Sequence, residues 1–277
     1  MNTATAAEAL AAAADAIAAA GSETARLDAE LLLCAATGWD RARLAAEPGL
    51  RLPVGASRDL AEMVRRRVRR EPVAYILGSK GFRRIELLVD GRVLIPRPET
   101  ELLVETALEL GARSVLDVGT GSGAIALGIA DEIPEARVVA IDTAMDALRV
   151  ARVNADRLGL ADRVSVVNAG IASLPSGPFD LLVANLPYVS DAEWETLPPE
   201  IHEYEPREAL VSGPTGLEAI SSLLEAVAGM DRRPTAIALE IGAGQAEEVS
   251  RLVGAAGYAE VEARRDLAGY ERVVLGR

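Results

Sequence analysis

The chain has 277 residues, 50% of them apolar, 26% charged and only 3% aromatic. That length suits two ordinary domains or one large one, and the composition excludes collagen-like, low-complexity and wholly disordered chains. The net charge of −13 is unevenly placed, with 14 basic and 12 acidic side chains in residues 1–92 but 15 and 30 in residues 93–277. The larger part should therefore repel a phosphate backbone, which argues against a nucleic-acid substrate.

The single cysteine, Cys34, excludes an intrachain disulfide and almost excludes a Cys-based metal site. It lies in the apolar run Leu31-Leu32-Leu33, as a buried inert thiol would. His202 is the only histidine, so a Ser-His-Asp hydrolase or multi-His metal site would hang on it alone. No metal is expected. The N-terminus is Ala-rich but has no basic start, and Glu8 and Asp15 interrupt it, unlike a signal peptide. No uncharged apolar stretch reaches the roughly 18 residues of a membrane helix. A soluble, cytoplasmic protein with no membrane partner is expected.

Residues 4–20 read as a helix that Gly21-Ser22 breaks. Residues 23–36 read as a second, with Leu27, Leu31 and Cys34 at helical spacing. A short helix near 40–46 follows Gly38, and Ser57 is placed to N-cap another that runs to about Arg70. Residues 1–72 thus form a small helical bundle. Its basic cluster, Arg65, Arg66, Arg67, Arg69 and Arg70, is flanked by Glu62 and Glu71 and reads as a solvated helix face, with an acidic partner or RNA as the alternative. A linking segment, 73–97, holds two extended runs, Phe82–Leu88 and Arg92–Ile95, and Asp90-Gly91 between them is a hairpin turn signal. Pro98 suits the first turn of the next helix.

Residues 98–277 alternate strand and helix. Strands fall near 114–118, 137–142, 163–168, 179–184, 235–241, 259–265 and 271–275, and helices near 123–131, 144–158, 216–229 and 245–256. The strands are nearly continuous apolar runs, which predicts a mostly parallel, doubly covered sheet. Only five residues, 266–270, join the last two strands, so these must be antiparallel. A seven-stranded sheet with one reversed strand results.

Three motifs sit where such a sheet binds ligands. In Asp117-Val118-Gly119-Thr120-Gly121-Ser122-Gly123 a strand runs into alternating glycines before a helix, a nucleotide-binding pattern in which backbone N–H groups approach a ligand. Gly119, Gly121 and Ala124 also satisfy the dinucleotide fingerprint, so the loop alone leaves NAD open. Asp117 favours a cationic ligand end, as in S-adenosylmethionine. Asp142 closes the next strand about 20 residues on, where an acid accepts ribose hydroxyls; helix N-capping is its other reading. Asn185-Leu186-Pro187-Tyr188 follows an apolar strand. The Asn185 amide oxygen and the Leu186 carbonyl are two acceptors, Pro187 stiffens the turn, and Tyr188 offers an aromatic face. Together they read as a receptor for a planar –NH2 group.

These motifs resemble the protein-(glutamine-N5) methyltransferases of peptide chain release factors, the PrmC/HemK family. Also similar are Arg70-Glu71-Pro72-Val73-Ala74-Tyr75-Ile76-Leu77-Gly78, Val93-Leu94-Ile95-Pro96-Arg97-Pro98-Glu99-Thr100-Glu101, Tyr204-Glu205-Pro206-Arg207-Glu208-Ala209-Leu210, Leu239-Glu240-Ile241-Gly242 and Asp266-Leu267-Ala268-Gly269. The resemblance spans nearly the whole chain. It implies a Rossmann-like class I methyltransferase fold, with a small N-terminal helical bundle for substrate docking and a linking β-hairpin. The implied reaction moves a methyl group from S-adenosylmethionine to the glutamine amide of a release factor's Gly-Gly-Gln segment, with the enzyme acting as a monomer. The implied catalytic residues are Asn185, Leu186, Pro187 and Tyr188. The implied cofactor set is Asp117, Gly119, Thr120, Gly121, Ser122, Gly123, Asp142, Gly170 and Asn185.

Two departures stand out. Leu186 replaces the family's usual proline, giving the N-L-P-Y common in rRNA adenine dimethyltransferases. Ala169-Gly170 replaces the acid and bulky residue that often pack near adenine, which leaves Asn168 as a candidate contact. The alternatives are an amino-group methyltransferase acting on RNA or DNA adenine, and an inactive binding module of the same fold.

Overall fold

Thr5 opens the first helix with a capping box: its hydroxyl accepts from the Glu8 N–H while the Glu8 carboxylate accepts from the Thr5 N–H at 2.8 Å. The computed structural model describes residues 4–277 and divides into two compact units. One ends at Gly78 and takes in Pro198–Tyr204; the other comprises Ser79–Leu197 and Glu205–Arg277.

The first unit contains α1 (Ala6–Ala19), α2 (Ala25–Thr37), α3 (Arg41–Ala46), α4 (Ala56–Val68) and α5 (Val73–Leu77). Leu10, Ile17, Leu32, Leu33 and Leu60 form its core. The buried stripe of α2 is Ala25, Asp28, Ala29, Leu32 and Leu33, not the expected Leu27-Leu31-Cys34 face. Leu27 is exposed and Cys34 only half-buried, although burial still pushes its thiol pKa up. Helix α4 begins at Ala56 after Gly55, whose φ of +91° suits glycine, so Ser57 lies inside the helix and does not cap it.

The arginine cluster corrects the expectation most sharply. Arg67 is 5% exposed, and its guanidinium donates to Asp28 Oδ2 at 2.7 Å, Ser22 Oγ at 2.9 Å and Glu200 Oε1 at 2.8 Å. Arg70 donates to Glu200 Oε2 at 2.6 Å, and Arg66 to Glu71 Oε2 at 2.7 Å. These side chains tie the unit together, while Arg65 and Arg69 remain exposed, so the expected solvated face holds for only part of the cluster.

The second unit starts with the hairpin β1 (Ser79–Phe82) and β2 (Ile85–Leu88). Its turn is Arg83-Arg84, one strand earlier than predicted. Arg83 takes φ +51° and donates to Glu132 at 2.6 and 2.9 Å and to Glu105 at 2.7 Å. These ion pairs hold a backbone conformation that sequence rules assign to Gly or Asn. Asp90-Gly91 instead bends the chain back through a Val93 N–H to Asp90 O bond of 3.1 Å, and residues 92–95 form no strand.

After a 3-10 turn at Pro98–Thr100 come α6 (Glu101–Leu110), β3 (Ser114–Val118), α7 (Ala124–Glu132), β4 (Arg137–Asp142), α8 (Met145–Arg157), β5 (Val164–Asn168) and β6 (Leu181–Ala184). Then follow α9 (Asp191–Trp194), α10 (Pro199–His202, in the first unit), α11 (Glu218–Ala228), β7 (Ala236–Glu240), α12 (Ala246–Ala255), β8 (Val261–Arg265) and β9 (Glu271–Gly276). The seven-stranded sheet has the order β5-β4-β3-β6-β7-β9-β8. Only β9 is antiparallel to its neighbours, as the short link before it required. The chain steps outward from β3 to β5 and then returns to place β6 on the other side of β3. That reversal creates a crevice at the carboxyl ends of β3 and β6. Among the described residues no helix is long and apolar enough to cross a membrane.

Candidate active site

An open cleft of about 270 Å³ lies at this crevice. The loops after β3, β4, β5 and β6 all reach it, through Gly119 and Gly121, Asp142–Ala144, Ala169–Ile171 and Asn185–Pro187 respectively. Arg92–Leu94 and Pro206, Glu208 and Ala209 complete its wall. His202 does not line it.

The glycine loop is tightly wound, with φ of +77°, +55° and +86° at Gly119, Gly121 and Gly123. Its amides are largely spent inside the protein. The N–H groups of Gly119 and Thr120 both donate to Ile141 O at 2.9 Å, Gly121 N–H to Asp142 Oδ2 at 2.9 Å, and Gly123 N–H to Thr120 O at 2.8 Å. A pyrophosphate cradle needs such groups free, so the loop offers shape and not the expected row of amide donors. This weighs against a dinucleotide.

Asp117 lies behind the loop, fully buried, outside the cleft wall. Its Oδ2 accepts from Thr120 Oγ1 at 2.7 Å, and Oδ1 has no partner. Burial pushes its pKa up to about 7. Thr120 and Ser122 are likewise buried, and neither they nor Gly123 line the cleft. Asn154 of α8 fixes the loop from behind: its amide donates to Ser122 O at 2.9 Å and Leu88 O at 3.0 Å and accepts from Leu88 N–H at 2.7 Å. The sequence reading missed Asn154, a lone amide on an otherwise ordinary amphipathic helix.

Asp142 faces the cleft and braces two loops. Oδ2 holds Gly121 N–H, and Oδ1 accepts from Ala144 N–H at 2.9 Å. Each oxygen keeps a lone pair for a ligand hydroxyl. The residue next to α8 in the cap position is Ala144, so Asp142 is not that helix's N-cap. Asn168 does not line the cleft, and its amide is engaged with Asp142 O at 3.0 Å, which weighs against the suggestion that it holds adenine. Gly170 lines the cleft, and a Cβ there would stand 2.8 Å from Thr143 Cγ2. Thr143 thus fills the space in which a larger residue 170 would begin.

Beyond β6, Asn185 lines the cleft and its Nδ2 donates to Thr100 Oγ1 at 3.1 Å. Among the described residues nothing donates to Asn185 Oδ1. Leu186 is buried in the core, and a Cβ on Gly119 would lie 3.1 Å from its Cδ2, so the two loops interlock. Pro187 is on the cleft wall. Tyr188 is not: its hydroxyl donates to Glu240 Oε1 at 3.4 Å, and its carbonyl accepts from Gln245 Nε2 at 3.1 Å. Burial, and the charge of Glu240, push the Tyr188 phenol pKa up. Glu240 is 1% exposed, its Oε2 has no partner, and burial pushes its pKa up to about 7. An acid ending an apolar strand was the signal that picked out Asp142, and it applies equally to Glu240. Glu205 fastens the Arg92–Leu94 wall, accepting from Ile95 N–H at 3.1 Å and pairing with Arg97.

A family profile described as the PrmC N-terminal domain matches residues 8–78, and one described as a methyltransferase domain matches 115–204. The release factor glutamine methyltransferase of Caulobacter vibrioides is 40% identical over 279 residues, covering 99% of this chain and 96% of its own. This chain belongs to the release factor glutamine methyltransferase family. The Chlorobaculum tepidum release factor glutamine methyltransferase is 42% identical over 261 residues, covering 89% and 88%. Among solved structures, the hMettl16 catalytic domain in complex with a MAT2A 3'UTR hairpin has a TM-score of 0.58 at 16% identity, over 69% of this chain and 75% of that one. That likeness shows a shared methyltransferase fold. As a release factor glutamine methyltransferase family member, the chain carries the family's N-terminal profile up to residue 78, where its first unit also ends.

Proposed function

We infer that this protein transfers a methyl group from S-adenosylmethionine to the side-chain amide nitrogen of a glutamine in a peptide chain release factor, in its Gly-Gly-Gln segment. The observation that carries this is Asn185: in a chain of this family it stands at the cleft with its Nδ2 engaged and its Oδ1 unpaired.

The residues present fit S-adenosylmethionine. Asp142 retains acceptor capacity for ribose hydroxyls, and the tightly turned glycines leave an open cleft beside it. Bound there, S-adenosylmethionine supplies an electrophilic methyl group on a sulfonium sulfur. An amide nitrogen is a weak nucleophile, because its lone pair is delocalised, and its pKa is too high for any side chain to deprotonate it first. Asn185 Oδ1 and the Leu186 carbonyl accept its two hydrogens and turn the nitrogen lone pair toward the donor. They also stabilise positive charge as it develops there, so positioning and electrostatics supply the rate. No general base is assigned: one amide proton leaves to solvent after the methyl group has transferred.

The N-terminal unit is proposed to dock the release factor. Its arginines are mostly paired within the unit, so docking rests on its other surfaces. The enzyme is proposed to act as a cytoplasmic monomer without a direct nucleic-acid substrate, in keeping with the acidic catalytic part. Incubation with isotopically labelled methyl donor and a mixture of release factor and ribosomal RNA tests the reading. Label on the protein is expected; label on RNA alone overturns it.

A further inference from the structure

Gln245 stands just before α12, where a polar side chain often caps a helix, yet its side chain makes no capping bond. It reaches backward instead. Its Oε1 accepts from the Gly242 N–H at 2.8 Å, and its Nε2 donates to the Tyr188 carbonyl at 3.1 Å. These partners fix which end of the amide is which, because a backbone N–H only donates and a carbonyl only accepts. The contact is close on both sides. A Cβ on Gly242 would lie 3.1 Å from Gln245 Oε1 and 3.2 Å from Tyr188 Cδ2, and one on Gly216 would collide with the Tyr188 carbonyl.

Tyr188 ends the turn that carries the two acceptors. The sheet fixes the start of that turn, where Ala184 pairs with Val118 of β3 and Leu239 of β7. Asn185 is tied to Thr100, the Leu186 side chain is buried, and the ring of Pro187 locks its own φ. The direction of the Leu186 carbonyl therefore depends on where Tyr188 is held. Val189 beyond it is fastened separately, through its N–H to Leu210 O at 2.9 Å. We propose that Gln245 is a positioning residue, which aims the Leu186 carbonyl at the substrate amide by clamping the Tyr188 carbonyl to the turn after β7. The proposal rests on the reading of Asn185 and Leu186 as acceptors of the glutamine amide hydrogens.

The clamp joins residues 57 positions apart, at the edge where β6 and β7 emerge side by side. Neither Gln245 nor Tyr188 lines the cleft, so the clamp touches no ligand there. Its weight falls on the chemical step. Positive charge grows on the amide nitrogen only as the methyl group transfers, so a correctly aimed carbonyl is worth more in the transition state than in the bound substrate. Losing the clamp should therefore slow transfer and leave binding as it was.

Two variants of nearly unchanged bulk test this. Gln245→Glu keeps the acceptor for Gly242 but sets a carboxylate oxygen against the Tyr188 carbonyl. Its single-turnover methylation rate on release factor should fall about tenfold or more, the weight of a hydrogen bond replaced by a charge. Gln245→Met keeps the length without the polar atoms and should lose about 3–10-fold. KM for release factor and S-adenosylmethionine affinity by calorimetry should stay unchanged in both. Lowering the pH protonates the introduced carboxyl, which then has a hydroxyl for Tyr188 O. Gln245→Glu should thus recover toward wild type at the same pH, and Gln245→Met should not. The Tyr188 phenol, Glu240 and Arg272 around this turn are common to all three proteins and cancel in that ratio. A brace that served stability only would leave the rate of folded protein unchanged. Rates within about twofold of wild type in both variants, a loss confined to KM or cofactor affinity, or no recovery of Gln245→Glu at low pH would overturn the proposal. If Gln245→Glu does not fold, the rate of Gln245→Met decides. Unmethylated release factor with wild-type enzyme would refute the acceptor reading, whereas an active wild type with unimpaired variants refutes only the clamp.

Discussion

Replacing Asp142 by Ala separates a ligand contact from a loop brace. In the protein the carboxylate already spends one lone pair per oxygen, on Gly121 N–H and Ala144 N–H, each at 2.9 Å. What remains for a ribose is one charged acceptor site on each oxygen. Losing a hydrogen bond to a charged group costs about 1.5–3 kcal/mol, or roughly 10–150-fold in affinity. Loosening the two loops adds to this, so a loss at the upper end, or beyond it, is expected for S-adenosylmethionine by calorimetry. Asp142→Asn keeps one oxygen and therefore one brace, and should fall between wild type and alanine. S-adenosylhomocysteine shares the ribose but carries no sulfonium charge. If Asp142 acts through ribose hydroxyls, both ligands lose the same factor. A loss confined to S-adenosylmethionine would mean that Asp142 acts as a distant counter-charge, and unchanged affinity for both would refute the assignment altogether.

Leu186→Ala should be a packing defect: the side chain is buried against the core and over Gly119, so denaturant melts should show a loss of about 2–5 kcal/mol, while Leu186→Met should stay close to wild type. Arg67→Ala should destabilise the fold by about 3–5 kcal/mol by leaving Asp28 without its buried cation, Glu200 keeping Arg70, with KM for release factor little changed in protein that remains folded; a pure KM effect with normal stability would restore the arginine cluster as a docking surface. Glu240 holds its proton more tightly folded than unfolded, at about 7 against 4.5. Its stabilising contribution is therefore complete below about pH 4.5 and is lost as pH rises toward 7. The stability of Glu240→Gln should accordingly gain about 3 kcal/mol on wild type across that window, and urea titrations at several pH values would show a flat difference if Glu240 were ionised throughout.

The strands of the sheet were legible because each is a short apolar run bounded by turn signals; Ser114–Val118 and Arg137–Asp142 fall where the sequence puts them. The reversed strand followed from a five-residue link. The hairpin was misplaced because its turn depends on Arg83, a residue held at positive φ by Glu132 and Glu105, which lie 49 and 22 positions away. No local rule carries that information. The same holds for Arg67, whose partners are 39 and 133 positions distant, so one arginine of a run that looks solvated is buried. At the site, the loops that reach the cleft could be read from strand ends and glycines. Which groups face the ligand could not. Asp117 and Asp142 look alike in sequence, yet one is sealed behind the glycine loop and the other stands on the cleft wall. Thr100, 85 positions away, meets Asn185 only through the fold.

In the proposed reaction Asn185 holds and orients a glutamine amide. Release factor incubated with S-adenosylmethionine and wild-type enzyme, then digested and weighed, should gain one methyl group on the glutamine of its Gly-Gly-Gln peptide. Single-turnover rates with Asn185→Ala should fall by about 10²–10³, the usual loss for one oriented electrostatic partner, while cofactor binding persists. Unmethylated glutamine with wild-type enzyme, or full activity in Asn185→Ala, would contradict that role.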